Sequence, residues 1–239
     1  AQMMDLPFAY SSNGDAFYEH DFLTGQEQQI ALEEFPTQEM LVARYYAELH
    51  SGKGISDMEK KIVSQPYYSS QSTYPPRYYQ RNAVNRTVEA IARGQQRLLL
   101  VMATGTGKTY TAFQIVYRLL RSDLKKRILY LADRNILVDQ SILQDFAPLE
   151  KTIYKVDFSD KECLSKIASR EVNFALYHQM VGQNDEEHFK QIPAEYFDLI
   201  IVDECHRGSA KEDSNWRKVL EYFSSATQIG MTATPKESE

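Results

Sequence analysis

The apolar run Leu98–Met102 leads directly into the segment Ala103-Thr104-Gly105-Thr106-Gly107-Lys108-Thr109, and this junction constrains the fold more than any other feature of the sequence. A continuous apolar run of this length predicts a strand buried on both faces of a parallel sheet. The apolar residues of 112–119 then recur at helical spacing. A strand, a glycine-rich turn and a helix in this order are the context that a phosphate-binding loop requires.

Each part of the segment 104–109 suits a nucleotide. Gly105 and Gly107 let backbone N–H groups surround phosphate oxygens, and the helix N-terminus adds a partial positive charge. Lys108 is expected to reach the β- and γ-phosphates, and the Thr109 hydroxyl to bind Mg²⁺. A strict form of the motif has glycine where this chain has Met102. The alternative is a glycine-rich turn with an incidental Gly-Lys-Thr.

Two adjacent acidic residues, Asp203 and Glu204, follow the apolar run Leu199–Val202. Carboxylates at the end of a buried strand are costly unless a cation or a partner compensates them. We therefore expect Asp203 to hold Mg²⁺ and Glu204 to polarise the attacking water of ATP hydrolysis. The alternative for this pair is an acidic helix cap with an acidic neighbour.

Apolar strands alternate with helical patterns from residue 77 to residue 239, which predicts a three-layer α/β domain with a mostly parallel sheet. Residues 1–55 are predicted to form a hairpin around Asn13-Gly14 and a helix capped by Thr37, and residues 56–76 a connector. The further predicted strands are Ile128–Leu131, Ile153–Val156, Phe174–Tyr177, Leu199–Val202 and Gln228–Met231, with helices that include 80–93, 136–146 and 215–223.

Composition narrows the class of protein without naming a function. No apolar stretch approaches the roughly 20 residues of a membrane span, and the two cysteines are too few for a disulfide framework, so a cytoplasmic protein is expected. The net charge of −6 runs against diffuse electrostatic binding of nucleic acid. A nucleic-acid track would have to be a local groove, or be completed by other segments or partners.

Asp203-Glu204-Cys205-His206 resembles the DEAD/DEAH-type box of superfamily 2 helicases and translocases. Thr232-Ala233-Thr234-Pro235 resembles the third motif of that superfamily. In the family, the third motif links the nucleotide state to the grip on nucleic acid. The resemblance therefore implies coupling roles for Thr232, Thr234 and His206.

Two further segments match positions of functional residues in that superfamily. Gln80 stands where the family reads the adenine edge, and Arg134 and Asn135 stand where it contacts the nucleic-acid backbone. His178 and Gln179 follow a predicted strand on the same face, which suggests a role in binding nucleic acid. For each of these residues a purely structural role at a helix start or strand end is the alternative.

The residue sequence of several longer segments points to one family within this superfamily. Residues 197–209, 214–217, 226–235 and 132–140 resemble the restriction (R) subunit of type I restriction–modification enzymes, and so do residues 10–14 and 35–36. The resemblance implies an ATP-dependent translocase of double-stranded DNA that works with methyltransferase (M) and specificity (S) subunits. It also implies a second motor lobe and a nuclease domain in the same subunit.

Two motifs of that family are missing from this chain, and their absence limits which activities we expect of it. The chain has no Asp…Glu-x-Lys cluster of the family's nuclease and no Gln-x-x-Gly-Arg-x-x-Arg segment, which supplies the arginine finger of the second lobe. We therefore expect the end of the nuclease region followed by the first RecA-like motor lobe, nearly inactive in isolation. The alternatives are another superfamily 2 helicase or remodeller of DNA or RNA, and a nucleotide-binding module without turnover.

Overall fold

Two β-sheets of different kinds organise the chain. The computed structural model describes residues 6–49, 56–70, 74–132, 144–182, 186–203 and 217–234. A three-stranded antiparallel sheet precedes a six-stranded parallel sheet, which confirms the predicted α/β class and the small α+β segment before it. In chain order the elements are β1 (Phe8–Ser12), β2 (Ala16–Asp21), β3 (Glu27–Ala31), α1 (Gln38–Leu49), α2 (Asp57–Val63), α3 (Tyr78–Ala92), β4 (Arg97–Val101), α4 (Lys108–Arg121), β5 (Ile128–Ala132), β6 (Ile153–Lys155), α5 (Cys163–Ala168), β7 (Val172–Leu176), α6 (Tyr177–Val181), β8 (Leu199–Asp203) and β9 (Thr227–Thr232).

The parallel sheet has the strand order β4-β9-β8-β5-β7-β6, and helices cover both of its faces. Alternate residues of a strand point to opposite faces. Leu199 and Ile201 of β8 therefore pack with α3 and α4 on one face. Ile200 and Val202 pack on the other, with α5, α6 and the helical residues 217–222. The result is the predicted three-layer arrangement.

The strand β4 differs from its prediction. It is the terminal strand of the parallel sheet, and its Leu99 and Val101 side chains are 57% and 52% exposed. Leu100 is buried against the face that carries α3 and α4. The apolar run thus indicated a strand correctly, but only one of its faces is covered in the part of the chain that the structure describes.

The predicted strand Phe174–Tyr177 is also shifted. The strand ends at Leu176, and Tyr177-His178-Gln179 form the first turn of α6 rather than the end of a strand. The side-chain Oε1 of Gln179 accepts a hydrogen bond of 3.1 Å from the Leu176 N–H, which caps the new helix. The polar residues that follow the strand therefore begin a helix.

The N-terminal hairpin forms as predicted. Gly14 has a φ of 97°, and the Asn13 Oδ1 accepts hydrogen bonds from the N–H groups of Asp15 and Ala16. Thr37 caps α1 by accepting from the Met40 N–H at 3.3 Å. The third strand, β3, was not predicted, because its mostly exposed residues show no apolar alternation.

The predicted connector 56–76 contains a helix, α2. Ser56 and Glu59 form a capping box at its start, and Glu59 also accepts from Arg93, the residue directly after α3, at 2.8 Å. Arg118 of α4 donates to the Ile62 carbonyl at 2.9 Å, so both long helices hold α2. The domain boundaries at residues 55 and 76 remain predictions.

Two predicted helices lie partly beyond the described residues. Of the helix predicted over 215–223, residues 217–222 are helical, and Val219 and Phe223 are buried. Of the helix predicted over 136–146, residues 136–143 lie outside the described ranges. None of the helices in those ranges is both long enough and apolar enough to cross a bilayer.

Candidate functional site

Strand register brings the predicted site residues to one edge of the parallel sheet. Asp203 of β8 is level with Met231 of β9, and Thr232 is level with Val101 of β4. The pairing continues one residue further, where the Met102 N–H donates to the Thr232 carbonyl at 2.9 Å. Three neighbouring strands therefore end level with one another, and at their ends lie the glycine-rich loop, Asp203 and the Thr-Ala-Thr segment.

The loop between β4 and α4 depends on two glycines. Gly105 and Gly107 have φ angles of 78° and 81°, in the left-handed region that disfavours other residues. A Cβ at Gly107 would lie 2.5 Å from the side-chain Nε2 of Gln80. The Thr106 hydroxyl donates to the Ala103 carbonyl at 2.6 Å, which closes the turn. The loop conformation thus excludes side chains at the positions where the sequence has none.

Lys108 is the first residue of α4, and Thr109 is the second. Both side chains are half-buried beside the loop, and the Lys108 Nζ lies 3.5 Å from the Met102 carbonyl oxygen. The first N–H groups of a helix have no partner within it and attract anions. The start of α4, beside the glycine-rich loop, therefore carries both the Lys108 ammonium and the Thr109 hydroxyl.

Gln80 joins the preceding helix to this loop. It is 7% exposed; its Oε1 accepts from the Arg77 N–H at 2.8 Å, and its Nε2 donates to the Thr106 carbonyl at 2.9 Å. A primary amide has two N–H donors and two lone pairs on oxygen. The bonds to Arg77 and Thr106 therefore use one donor and one acceptor site of the amide.

A cavity of about 400 Å³ lies beside Gln80 and the loop. Its wall includes Tyr74, Tyr110 and Asp145, which the sequence did not single out. The Tyr110 hydroxyl donates to the Tyr74 carbonyl at 3.1 Å, and burial raises the pKa of Asp145. Tyr110 directly follows Thr109, and this position next to the motif could have marked it as a site residue in the sequence. No feature of the sequence marked Asp145.

Asp203 is a buried carboxylate, 5% exposed. The Tyr130 hydroxyl donates to its Oδ2 at 3.1 Å, and the Tyr177 hydroxyl donates to its backbone carbonyl at 3.1 Å. Burial, together with the charge of Asp203, raises the pKa of Tyr130 well above its ordinary value, so this phenol stays protonated and donates. Neither of these tyrosine contacts was predicted from the sequence.

The Thr-Ala-Thr segment forms a tight turn at the end of β9. The Thr232 hydroxyl accepts from the Thr234 N–H at 3.2 Å and lies 3.1 Å from the Thr234 carbonyl oxygen. Thr232 is buried, and Thr234 is exposed. The turn is held by the hydroxyl that the motif provides.

The candidate nucleic-acid residues divide into two groups. His178 is exposed on α6 and Gln179 is half-buried there, and α6 directly follows β7 at the same edge of the sheet as Asp203. Arg134, Asn135, Glu204 and His206 lie outside the described residues. Among the described residues, no group of three or more His, Cys, Asp or Glu side chains has the arrangement of a metal site.

Comparison with known proteins identifies the family of the chain. The family model described as "Type III restriction enzyme, res subunit" matches residues 73–237. The endonuclease subunit of the type I restriction enzyme EcoAI from Escherichia coli is 48% identical over 100% of this chain. The chain belongs to the endonuclease (R) subunits of type I restriction enzymes. It spans 29% of the length of that R subunit.

Solved structures agree with this assignment. A fragment of an R subunit from Vibrio vulnificus YJ016 superposes with a TM-score of 0.74 at 38% identity, over 99% of this chain and 39% of that one. The type ISP restriction–modification enzyme LlaBIII, described as ATP-dependent and bound to DNA, gives a TM-score of 0.53 at 26% identity over 70% of this chain and 13% of that one. The R-subunit chain thus contains the helicase-like motor region that its motifs indicated.

Proposed function

We propose that this R-subunit chain is the lobe that binds and hydrolyses ATP in a double-stranded-DNA translocase of a type I restriction endonuclease complex. The observation that carries the proposal is the alignment of Asp203, Thr232 and the Met102–Lys108 loop across three adjacent strands. Chemistry at the carboxyl edge of a parallel sheet is the usual arrangement in open α/β folds. The type ISP relative described as ATP-dependent and bound to DNA supports the same function.

The residues present fit a nucleoside triphosphate. The backbone of the loop can approach phosphate oxygens because Gly107 has no Cβ, and any Cβ there would collide with Gln80. Lys108 would place its ammonium on the β- and γ-phosphates, and the first turn of α4 would add N–H donors. Gln80 would offer its remaining donor and acceptor to the adenine edge.

The region between the start of α4 and the end of β8 fits Mg²⁺, which prefers oxygen ligands. The Thr109 hydroxyl and the Asp203 carboxylate are the oxygens that we expect to hold the ion, as in other sites of this kind. Bound there, the ion would neutralise charge that develops on the phosphates. Glu204, next to Asp203 in the sequence, would orient the attacking water and accept its proton.

Coupling to DNA would involve residues at the ends of the neighbouring elements. We assign Thr232, Thr234 and His206 to the link between nucleotide state and grip, and Arg134, Asn135, His178 and Gln179 to contacts with the DNA backbone. The M and S subunits, and a second motor lobe and nuclease domain of the same subunit, complete the proposed machine. The chain has a net charge of −6, so it needs such partners to hold a polyanion.

The test is steady-state ATP hydrolysis by the complete R subunit with its M and S partners. Duplex DNA should stimulate hydrolysis, and duplex RNA of the same length should not. Glu204→Gln should lower turnover by roughly 10²- to 10⁴-fold while ATP still binds, because the amide cannot accept a proton.

The exposed Glu195 gives the matched control, since Glu195→Gln removes the same charge away from the site and should leave turnover unchanged. Equal stimulation by RNA would favour a helicase of the same superfamily with another substrate. ATP binding without turnover, even with DNA and partners present, would favour a nucleotide-dependent binding module.

A further inference from the structure

The side chain of Tyr130 carries a hydroxyl group, although it is packed among aromatic rings. It is fully buried in β5, stacks on Phe174 with ring centres 4.8 Å apart, and meets Phe146 edge-on at 5.8 Å. Packing would be served equally well by phenylalanine at this position. A buried hydroxyl, in contrast, costs free energy unless it has a hydrogen-bond partner.

The partner of that hydroxyl is the Asp203 carboxylate. Oδ2 of Asp203 accepts from the Tyr130 hydroxyl at 3.1 Å. Leu199, Ile201 and Asp203 alternate along β8, so the carboxylate points to the face that α4 covers. Asp203 therefore lies on the side of the sheet where α4 begins with Lys108 and Thr109.

The backbone of Asp203 is held as well. The Tyr177 hydroxyl donates to the Asp203 carbonyl at 3.1 Å, from the first residue of α6. With the backbone held by Tyr177 and Oδ2 held by Tyr130, rotation of the carboxylate is restricted. A carboxylate restricted in this way keeps one orientation.

We propose that Tyr130 is a positioning residue that orients the Asp203 carboxylate for Mg²⁺. This inference rests on the proposed function, because it needs Asp203 to be a metal ligand. Groups that hydrogen-bond metal-binding carboxylates tune metal affinity without touching the metal. Tyr130 contacts neither nucleotide nor water in this role, so its effect passes through Asp203.

Tyr130→Phe tests the inference in the complete R subunit, because it removes the hydroxyl and keeps the ring. The Mg²⁺ concentration for half-maximal ATP hydrolysis should rise roughly tenfold, as is usual when such a supporting hydrogen bond is lost. At saturating Mg²⁺ the KM for ATP should be nearly unchanged. Mn²⁺ titrated onto the subunit loaded with a non-hydrolysable ATP analogue should show the same loss of metal affinity.

Tyr154→Phe is the matched control, since Tyr154 lies in β6, with β7 and β5 between it and β8. Wild-type metal dependence in Tyr130→Phe, with Asp203→Asn strongly impaired, would overturn the positioning role and leave the proposed function standing. Wild-type metal affinity and turnover in Asp203→Asn would overturn both. An equal shift in Tyr130→Phe and Tyr154→Phe would also overturn the inference, because it would indicate a general effect on the sheet.

Discussion

At the scale of single residues, the structure gives Gln80 two contacts that the sequence did not predict. Its amide caps α3 at Arg77 and supports the loop at the Thr106 carbonyl. It also lines the cavity beside the loop, where its remaining donor and acceptor can meet a base. Gln80 thus has the structural role that the sequence offered as one alternative, and the base-reading role stays a proposal.

Gln80→Ala should therefore weaken binding of both ATP and GTP, and that of ATP more. The loop loses its support for either nucleotide, whereas only the adenine edge loses a matched amide, a loss of roughly 1–3 kcal/mol. Calorimetric titration with the two nucleotides measures the difference. Gln80→Glu, which keeps the acceptor for Arg77, separates capping from loop support. Equal losses for ATP and GTP would restrict Gln80 to a structural role.

Residue identity was predictable where a motif fixes the chemistry. Gly107, Lys108 and Asp203 could be singled out because their residue types match motifs expected of a phosphate loop and of a metal-binding carboxylate, and the structure brings them to one edge of the sheet. Tyr130 and Tyr177 could not, because a tyrosine in an apolar run is typical of packing. Only the register between β5 and β8 and the turn into α6 bring their hydroxyls to Asp203.

At the scale of elements, the N-terminal sheet is held to α1 by one arginine. Arg44 donates to both carboxylate oxygens of Glu19 at 2.8 Å and to Asp21 at 2.7 Å. Its guanidinium also lies 4.6 Å from the centre of the Phe8 ring. The hydrogen bonds from Arg44 lower the pKa of Glu19 from 4.5 to about 2.

The sign of the resulting pH dependence is fixed by that depressed pKa. Glu19 stabilises the fold fully above the unfolded value of 4.5, and this stabilisation is lost as the pH falls toward about 2. A shift of this size corresponds to roughly 3 kcal/mol of unfolding free energy. Urea unfolding followed by circular dichroism between those pH values should show the loss.

Arg44→Met should remove that acid-dependent loss and destabilise the protein at neutral pH by about 3–5 kcal/mol, because two buried carboxylates lose their counter-charge. Arg170 is exposed after α5, and Arg170→Met should change neither quantity. An Arg44→Met variant as stable as the wild type, with the same acid dependence, would contradict the role of this ion pair.

Each element that departs from its prediction has its own physical cause. Helix α2 has only seven residues, too few for a periodic apolar pattern, although Ser56 and Glu59 carry the spacing of a capping box. Strand β3 has one half-buried side chain and is defined by hydrogen bonds to β2 rather than by its own pattern. Strand β4 was recognised, but its place at the end of the sheet depends on topology.

At the scale of the whole molecule, the alternation of strands and helices predicted the three-layer fold correctly. Its strand order was not predictable from the sequence, because order depends on which distant strands pair. That order places β8, β9 and β4 side by side, and with them Asp203, Thr232 and the glycine-rich loop. The site is thus a consequence of topology that the motifs alone could only suggest.

Calorimetric titration of the protein with Mg-ATP measures whether the loop beginning at Ala103 binds the phosphates of ATP. Lys108→Ala should weaken binding roughly ten- to hundredfold, because charge-assisted hydrogen bonds of about 1.5–3 kcal/mol are lost. Lys161→Ala, which removes an exposed lysine elsewhere, should bind as the wild type does. Affinity of Lys108→Ala within about twofold of the wild type, a difference below about 0.5 kcal/mol, would contradict the assignment of the site.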